Sequence, residues 1–199
     1  MIRLRVAVLI SGRGSNMAAL VEAARRPDCP YEVAVVVASR EDAEGLAIAR
    51  AMGVEAVTVA ARPFAGDREA HERAVDVVLH DHAVEAVALA GWMRILTAWF
   101  VDAWTGRLLN IHPSLLPKYP GLDTHARALA AGDAVAGCTV HLVTEGMDEG
   151  PILAQAEVPV LAGDTAQSLG ERVLAVEHEL YPRALAAFAA RLGCAAGTP

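Results

Sequence analysis

Arg5-Val6-Ala7-Val8-Leu9-Ile10-Ser11-Gly12-Arg13-Gly14-Ser15-Asn16 decides the reading of the fold. The apolar run over residues 5–10 reads as a buried strand, and residues 15–26 read as a helix stopped by Pro27. Between them lies a glycine loop, where backbone N–H groups and a helix dipole form an anion site. Gly12 and Gly14 let the backbone approach an anion closely, Ser15 and Asn16 add donors, and Arg13 supplies positive charge. A dinucleotide fingerprint needs a third glycine, but Met17 stands there. A Walker loop needs Gly-Lys-Ser/Thr, and the loop has no lysine. A single phosphate on a small ligand remains, against the plain alternative of a tight turn that binds nothing.

Working outward, residues 32–38, 54–59, 84–90 and 108–111 read as further strands. Residues 43–52, 67–82 and 96–104 read as helices, with Asp42 and Asp67 as N-caps and Gly53 as a C-terminal stop. Near-continuous apolar strands alternating with helices predict an α/β, Rossmann-like fold with a mostly parallel sheet covered on both faces. Ligands bind such sheets at the carboxyl ends of the strands.

The second half changes character. Pro113, Pro117, Pro120 and Gly121 make a rigid loop, followed by a helix over residues 124–131. Residues 135–144 and 152–160 read as two strands forming an antiparallel C-terminal part, joined by a loop over 145–151. A last helix over 165–192 takes Asp164 as its cap, and Pro182 should kink or break it near Tyr181. Residues 193–199 read as a frayed tail. The whole, 1–199, reads as one domain.

Composition narrows the function. Of 199 residues, 54% are hydrophobic and 21% charged, a globular balance. The net charge of -7, with no basic cluster beyond Arg25-Arg26, argues against nucleic acid. Apolar runs are strand-sized, so no membrane span is expected. Cys29, Cys138 and Cys194 are too far apart for a paired metal or redox motif. Their odd number, and a start without a signal segment, point to the cytoplasm. No H-x-x-x-H or H-E-x-x-H spacing occurs, so no metal site is expected. His71, His80 and His82 read as solvated positions on the third helix, and His141 as a packing residue in a strand. His125 could line a site after the proline loop.

Asn110-Ile111-His112-Pro113-Ser114 closes the fifth strand. Residues two apart on a strand share a side, so Asn110 and His112 face one direction at a strand's carboxyl end. An asparagine amide can donate to an oxyanion, and a histidine can carry a proton near neutral pH. The pair suits attack of an amine on a formyl carbonyl. Asp148 lies in the loop Thr144-Glu145-Gly146-Met147-Asp148-Glu149-Gly150-Pro151, and a carboxylate beside His112 would orient it. Spacing alone does not bring Asp148 to His112.

Taken together, these segments resemble the phosphoribosylglycinamide formyltransferases of purine biosynthesis. The resemblance is carried by Leu9-Ile10-Ser11-Gly12-Arg13-Gly14-Ser15-Asn16, by Leu89-Ala90-Gly91-Trp92-Met93-Arg94-Ile95-Leu96, and by Asn110-Ile111-His112-Pro113-Ser114-Leu115-Leu116-Pro117. Val140-His141-Leu142-Val143-Thr144, Asp148-Glu149-Gly150-Pro151 and Glu177-His178 with Tyr181-Pro182 complete it. It implies that Gly14, Ser15 and Asn16 hold a ribose phosphate and that Glu177 meets the glycinamide portion. It implies Asn110, His112 and Asp148 as the catalytic group. Arg68, Met93, Arg94, Ile95, Leu96, Asn110, Thr144 and Asp148 would hold 10-formyltetrahydrofolate, the formyl donor. Asp123 stands where the pattern has histidine as often as aspartate, which touches only a local role of that loop.

The implied reaction moves the formyl group onto the amine of 5-phosphoribosylglycinamide, in a monomer or homodimer with small-molecule partners only. Rival readings are a formyltetrahydrofolate hydrolase, which resembles this chain with an added N-terminal domain, and a methionyl-tRNA formyltransferase, which adds a tRNA-binding domain. A small-molecule binding module of the same fold that had lost its chemistry would lack one of Asn110, His112 or Asp148, and all three are present.

Overall fold

The computed structural model describes residues 3–195. In chain order it contains β1 (Leu4–Ile10), α1 (Ser15–Ala24), β2 (Tyr31–Ala38), α2 (Glu44–Ala51), β3 (Ala56–Thr58), α3 (Arg68–Asp81) and β4 (Ala86–Leu89). It continues through α4 (Ala98–Ala103), β5 (Leu108–His112), α5 (Thr124–Ala130), β6 (Val135–Leu142), β7 (Ile152–Pro159) and α6 (Ala166–Ala195). The sheet order is β3-β2-β1-β4-β5-β6-β7. β1 to β5 pair in parallel, and β6 and β7 are antiparallel.

The apolar strand runs bury as expected: Val6 to Ile10 and Val35 to Ala38 are sealed on both faces. One face is covered by α1, α2 and α6, through Met17, Leu20, Leu46, Leu180 and Leu185. The other is covered by α3 and α4, through Val75, Leu79, Phe100 and Val101. The strand order reverses between β1 and β4, which opens a crevice at their carboxyl ends. Register lines up Leu9 with Leu89 and Leu89 with Asn110, so the glycine loop after β1 and the Asn110 segment of β5, with β4 between them, emerge at the same end of the sheet.

Four expectations need correction. Asp42 does not cap α2: Ala43 holds that position, and Asp42 pairs instead with Arg40 at 2.6 Å. Asp164 does not cap α6. Ser168 N donates to Thr165 Oγ1 at 3.1 Å and Thr165 N donates to Ser168 Oγ at 3.0 Å, a reciprocal cap, while Asp164 pairs with Arg172. Pro182 does not break α6, which remains helical through it because Tyr181, Leu180 and Leu185 are buried against the sheet on either side. The frayed tail does not begin at Gly193, since α6 runs to Ala195; residues 196–199 lie outside the described residues. Asp67 caps α3 as expected, accepting from Ala70 N at 3.0 Å. No described helix is long and apolar enough to cross a membrane.

Candidate active site

The glycine loop is shaped by two close backbones. Gly14 is left-handed (φ 76) and caps α1 without a side-chain bond. The N–H groups of Ser15, Asn16 and Met17 therefore lack intrahelical acceptors and face the strand ends. A Cβ on Gly14 would lie 2.7 Å from Gly45 Cα, and Gly45 N donates to Gly12 O at 3.0 Å. Gly45, on α2, is thus the partner that holds the loop.

Asn16 reaches across to α6. Its Nδ2 donates to Glu177 Oε2 at 2.7 Å, and its Oδ1 is buried with no partner among the described residues. Burial raises the Glu177 carboxyl above its usual range, only partly offset by the Asn16 bond. The same burial, with the Glu177 charge, pushes the Cys138 thiol up to about 12, which makes it inert. One turn beyond Glu177, the Tyr181 hydroxyl faces the carbonyls of Leu89 (3.1 Å) and Leu109 (3.3 Å), locking α6 in register with β4 and β5.

At the end of β5, Leu109 and Ile111 feed the α6-side core, while Asn110 and His112 alternate away from it. His112 is buried, 5% exposed. Its Nε2 donates to Tyr119 O at 2.9 Å, and its Nδ1 lies 3.3 Å from Asp148 Oδ2. Both ring nitrogens face acceptors. Asp148 Oδ2 also accepts from Gly121 N at 2.8 Å, tying the 144–151 loop to the proline loop. Asp148 (φ 56) and Tyr119 (φ 55) are both left-handed without being glycine, local strain concentrated on the two residues that hold His112. A Cβ on Gly150 would lie 1.8 Å from Leu142 O, so only glycine lets this loop close onto β6.

His141 was read as a packing residue, yet it belongs to this cluster. Antiparallel register places it opposite Asn110. Its Nε2 lies 3.3 Å from Asn110 Nδ2 and 3.6 Å from Asp148 Oδ1, while its Nδ1 donates to Leu142 O at 2.9 Å. Asp148 thus sits between two imidazoles. Burial works to raise its pKa, but His141, the Gly121 N–H and the His112 charge outweigh burial and hold the carboxyl below its ordinary value. His125 packs on α6 at Gly170, and burial followed by the His112 charge lowers its pKa.

The residues expected to hold a folate lie mainly on the α3/α4 side. Arg68 opens α3 and is exposed. Met93 and Ile95 are exposed, Leu96 packs on the core, and Arg94 is near enough to His71 for its charge to lower that ring's pKa, after burial. Thr144 is exposed at the start of the Asp148 loop. His71, expected to be solvated, is buried: its Nε2 donates to Val59 O at 2.8 Å. Its sequence position on an otherwise charged helix hid this.

A cluster of Asn, His and Asp at the carboxyl end of an interior strand, beside a glycine anion loop, defines a class of group-transfer site, and residues 4–185 match the formyl transferase family. This chain belongs to that family. Phosphoribosylglycinamide formyltransferase of Escherichia coli (strain K12) is 45% identical over 186 residues, 94% of this chain and 87% of that protein. The crystal structure of phosphoribosylglycinamide formyltransferase from Brucella melitensis has a TM-score of 0.90 at 54% identity, covering 94% of this chain and 96% of that one. The trifunctional purine biosynthetic protein adenosine-3 of Homo sapiens is 43% identical over 181 residues, but this chain spans only 18% of its length.

Proposed function

We propose that residues 1–199 act as one formyltransferase domain that moves the formyl group of 10-formyltetrahydrofolate onto the amine of 5-phosphoribosylglycinamide, in the cytoplasm. The observation that carries this reading is the convergence of Asn110, His112 and Asp148 at the carboxyl end of β5. The two faces of the sheet divide the labour. The phosphate rests on the free N–H groups of α1 beside Gly14, Ser15 and Asn16, and Glu177 meets the amine-bearing part on the α6 side. The donor approaches from the side of Arg68, Met93, Arg94, Ile95 and Leu96, with Thr144 on the opposing loop.

The amine nitrogen attacks the formyl carbon, forming a C–N bond and placing negative charge on the formyl oxygen. The Asn110 amide donates to that oxyanion, and His112 joins it by giving up one of its two resting hydrogen bonds. Collapse breaks the bond to N10 of the folate. One proton leaves the attacking amine and one reaches N10, relayed by His112, Asp148 and water. His141 holds Asp148 and Asn110 in mutual orientation. The test is an assay of tetrahydrofolate release with both substrates and with the folate alone. Release that requires the amine is expected; equal release without it means a hydrolase.

Asn16→Ala should raise KM for the phosphorylated amine by about tenfold and leave KM for the folate unchanged, since one bond to a charged partner is lost. Steady-state kinetics with each substrate varied in turn checks it; an unchanged amine KM would mean the phosphate sits elsewhere. Glu177→Gln should weaken amine binding yet stabilise the fold. The folded state holds the Glu177 proton more tightly than the unfolded chain does. Its stabilising contribution is therefore complete below the ordinary carboxylate range and is lost as pH rises through the raised folded value. The variant's thermal midpoint should exceed wild type by a few degrees (~1 kcal/mol) at pH 8 and by less at pH 4. A midpoint difference independent of pH would contradict the buried charge.

A further inference from the structure

The loop between β4 and α4 presents Met93 and Ile95 to solvent, 70% and 64% exposed, yet its backbone is pinned at three points. Trp92 stacks on the His71 ring, with centroids 5.9 Å apart and planes 13° from parallel. Met93 N donates to Ser11 Oγ at 2.9 Å, and Ser11 N donates to Gly91 O at 3.0 Å. Thr97 closes the loop: its N donates to Glu72 Oε1 at 2.9 Å and its hydroxyl donates to Glu72 Oε2. One turn further along α3, Asp76 Oδ1 accepts from Trp104 Nε1 at 2.9 Å. Two carboxylates four residues apart therefore hold both ends of α4.

Glu72 is only 3% exposed. A buried carboxylate costs free energy unless its hydrogen bonds are made. Packing α3 on α4 does not call for one, because Val75 and Leu79 already meet Phe100 and Val101 in a shared core. Nor does capping α4, which Thr97 Oγ1 does itself by accepting from Phe100 N at 3.4 Å. What Glu72 adds is a fixed position for Thr97, the residue at which the presenting loop ends. Exposed apolar side chains on a loop bind well only when ordering the loop has already been done.

We propose that Glu72 is a positioning residue for the formyl donor, fixing through Thr97 the loop that presents Met93, Arg94, Ile95 and Leu96. This rests on the formyl transfer proposed above. The glycine loop leads into α1 on the opposite face of the sheet and meets the presenting loop at Ser11 rather than at Thr97, so loosening Thr97 acts chiefly on the donor.

The experiment compares wild type with Glu72→Gln, Thr97→Val and Thr97→Ser. It reads KM for each substrate, the dissociation constant of tetrahydrofolate by calorimetry, and the thermal midpoint. Glu72→Gln and Thr97→Val should raise donor KM and tetrahydrofolate Kd about tenfold, the effect of losing one hydrogen bond to a charged group. Amine KM should stay within about twofold, and Thr97→Ser, which keeps both donors, should match wild type. A lowered midpoint with unchanged donor KM and Kd overturns the proposal, leaving Glu72 a purely structural residue. So does a parallel rise in both KM values. Should Glu72→Gln fail to fold, Thr97→Val decides alone. If wild type binds tetrahydrofolate but transfers no formyl group, the functional reading fails while the calorimetry still judges Glu72. If wild type binds no tetrahydrofolate, both fall.

Discussion

Asp148→Asn should lower kcat by about 10²- to 10⁴-fold while both KM values change by no more than a few-fold. The substitution keeps the size of the side chain and an oxygen that can accept from Gly121 N. It removes the charge that faces His112 Nδ1 at 3.3 Å and His141 Nε2 at 3.6 Å. Without that charge, the buried His112 ring loses the carboxylate that orients its Nδ1. The amide NH2 can also turn toward a ring nitrogen and select the wrong tautomer. Steady-state kinetics paired with thermal melts would check this, and near-normal kcat in a folded variant would remove Asp148 from the catalytic group. The pH dependence follows a definite sign. The Asp148 carboxyl sits below its ordinary value, so its contribution to stability is present above the unfolded carboxylate range and is lost as pH falls through the depressed folded value. Because it titrates below its ordinary value, an acid limb in the rate profile above the usual carboxylate range belongs to another group.

Gly14→Ala should be the most damaging substitution in the acceptor loop. Two costs add at one atom. The backbone is left-handed at φ 76, which costs a non-glycine residue about 1–2 kcal/mol. The new Cβ would also meet Gly45 Cα at 2.7 Å, a backbone atom that cannot swing away; such overpacking costs about 1–3 kcal/mol more. The thermal midpoint should fall by roughly 5–15 °C. KM for the phosphorylated amine should rise by about 100-fold, because the N–H groups after Gly14 no longer converge on one point. Gly45→Ala separates the two causes. Its Cβ meets Ile10 Cδ1 at 2.5 Å and Gly14 Cα at 3.1 Å, on a helix with no positive φ. It should show the smaller loss of stability but still raise the amine KM. Wild-type midpoint and KM in both variants would show that the loop is not built on this contact.

Much of the molecule was legible before its structure. Strand runs such as Val35 to Ala38 report burial on both faces directly, because a continuous apolar stretch has no other stable place. Asp67 was readable as a cap because capping is a contact between residues three apart. The misreadings share one cause. Asp42 and Asp164 are equally good caps by type, and what displaced them is Arg40 and Arg172, whose reach the helix pattern does not encode. Pro182 disrupts an isolated helix, but the burial of Tyr181 and Leu185 holds this one.

The Asn110–His112 pair with which the candidate site began marks the same division. By itself the sequence determined that the two share a side at a strand end, since strand period is a local property, and that a glycine loop precedes α1. Only the tertiary structure decided which groups they meet. Antiparallel pairing of β5 with β6 brought His141 opposite Asn110, loop closure through Gly150 brought Asp148 to His112, and the packing of α6 brought Glu177 to Asn16. Those contacts join residues tens of positions apart, and they depend on register and on the closeness of backbones. No local spacing carries that information, which is why the strand ends could be read from the chain but the completed site could not.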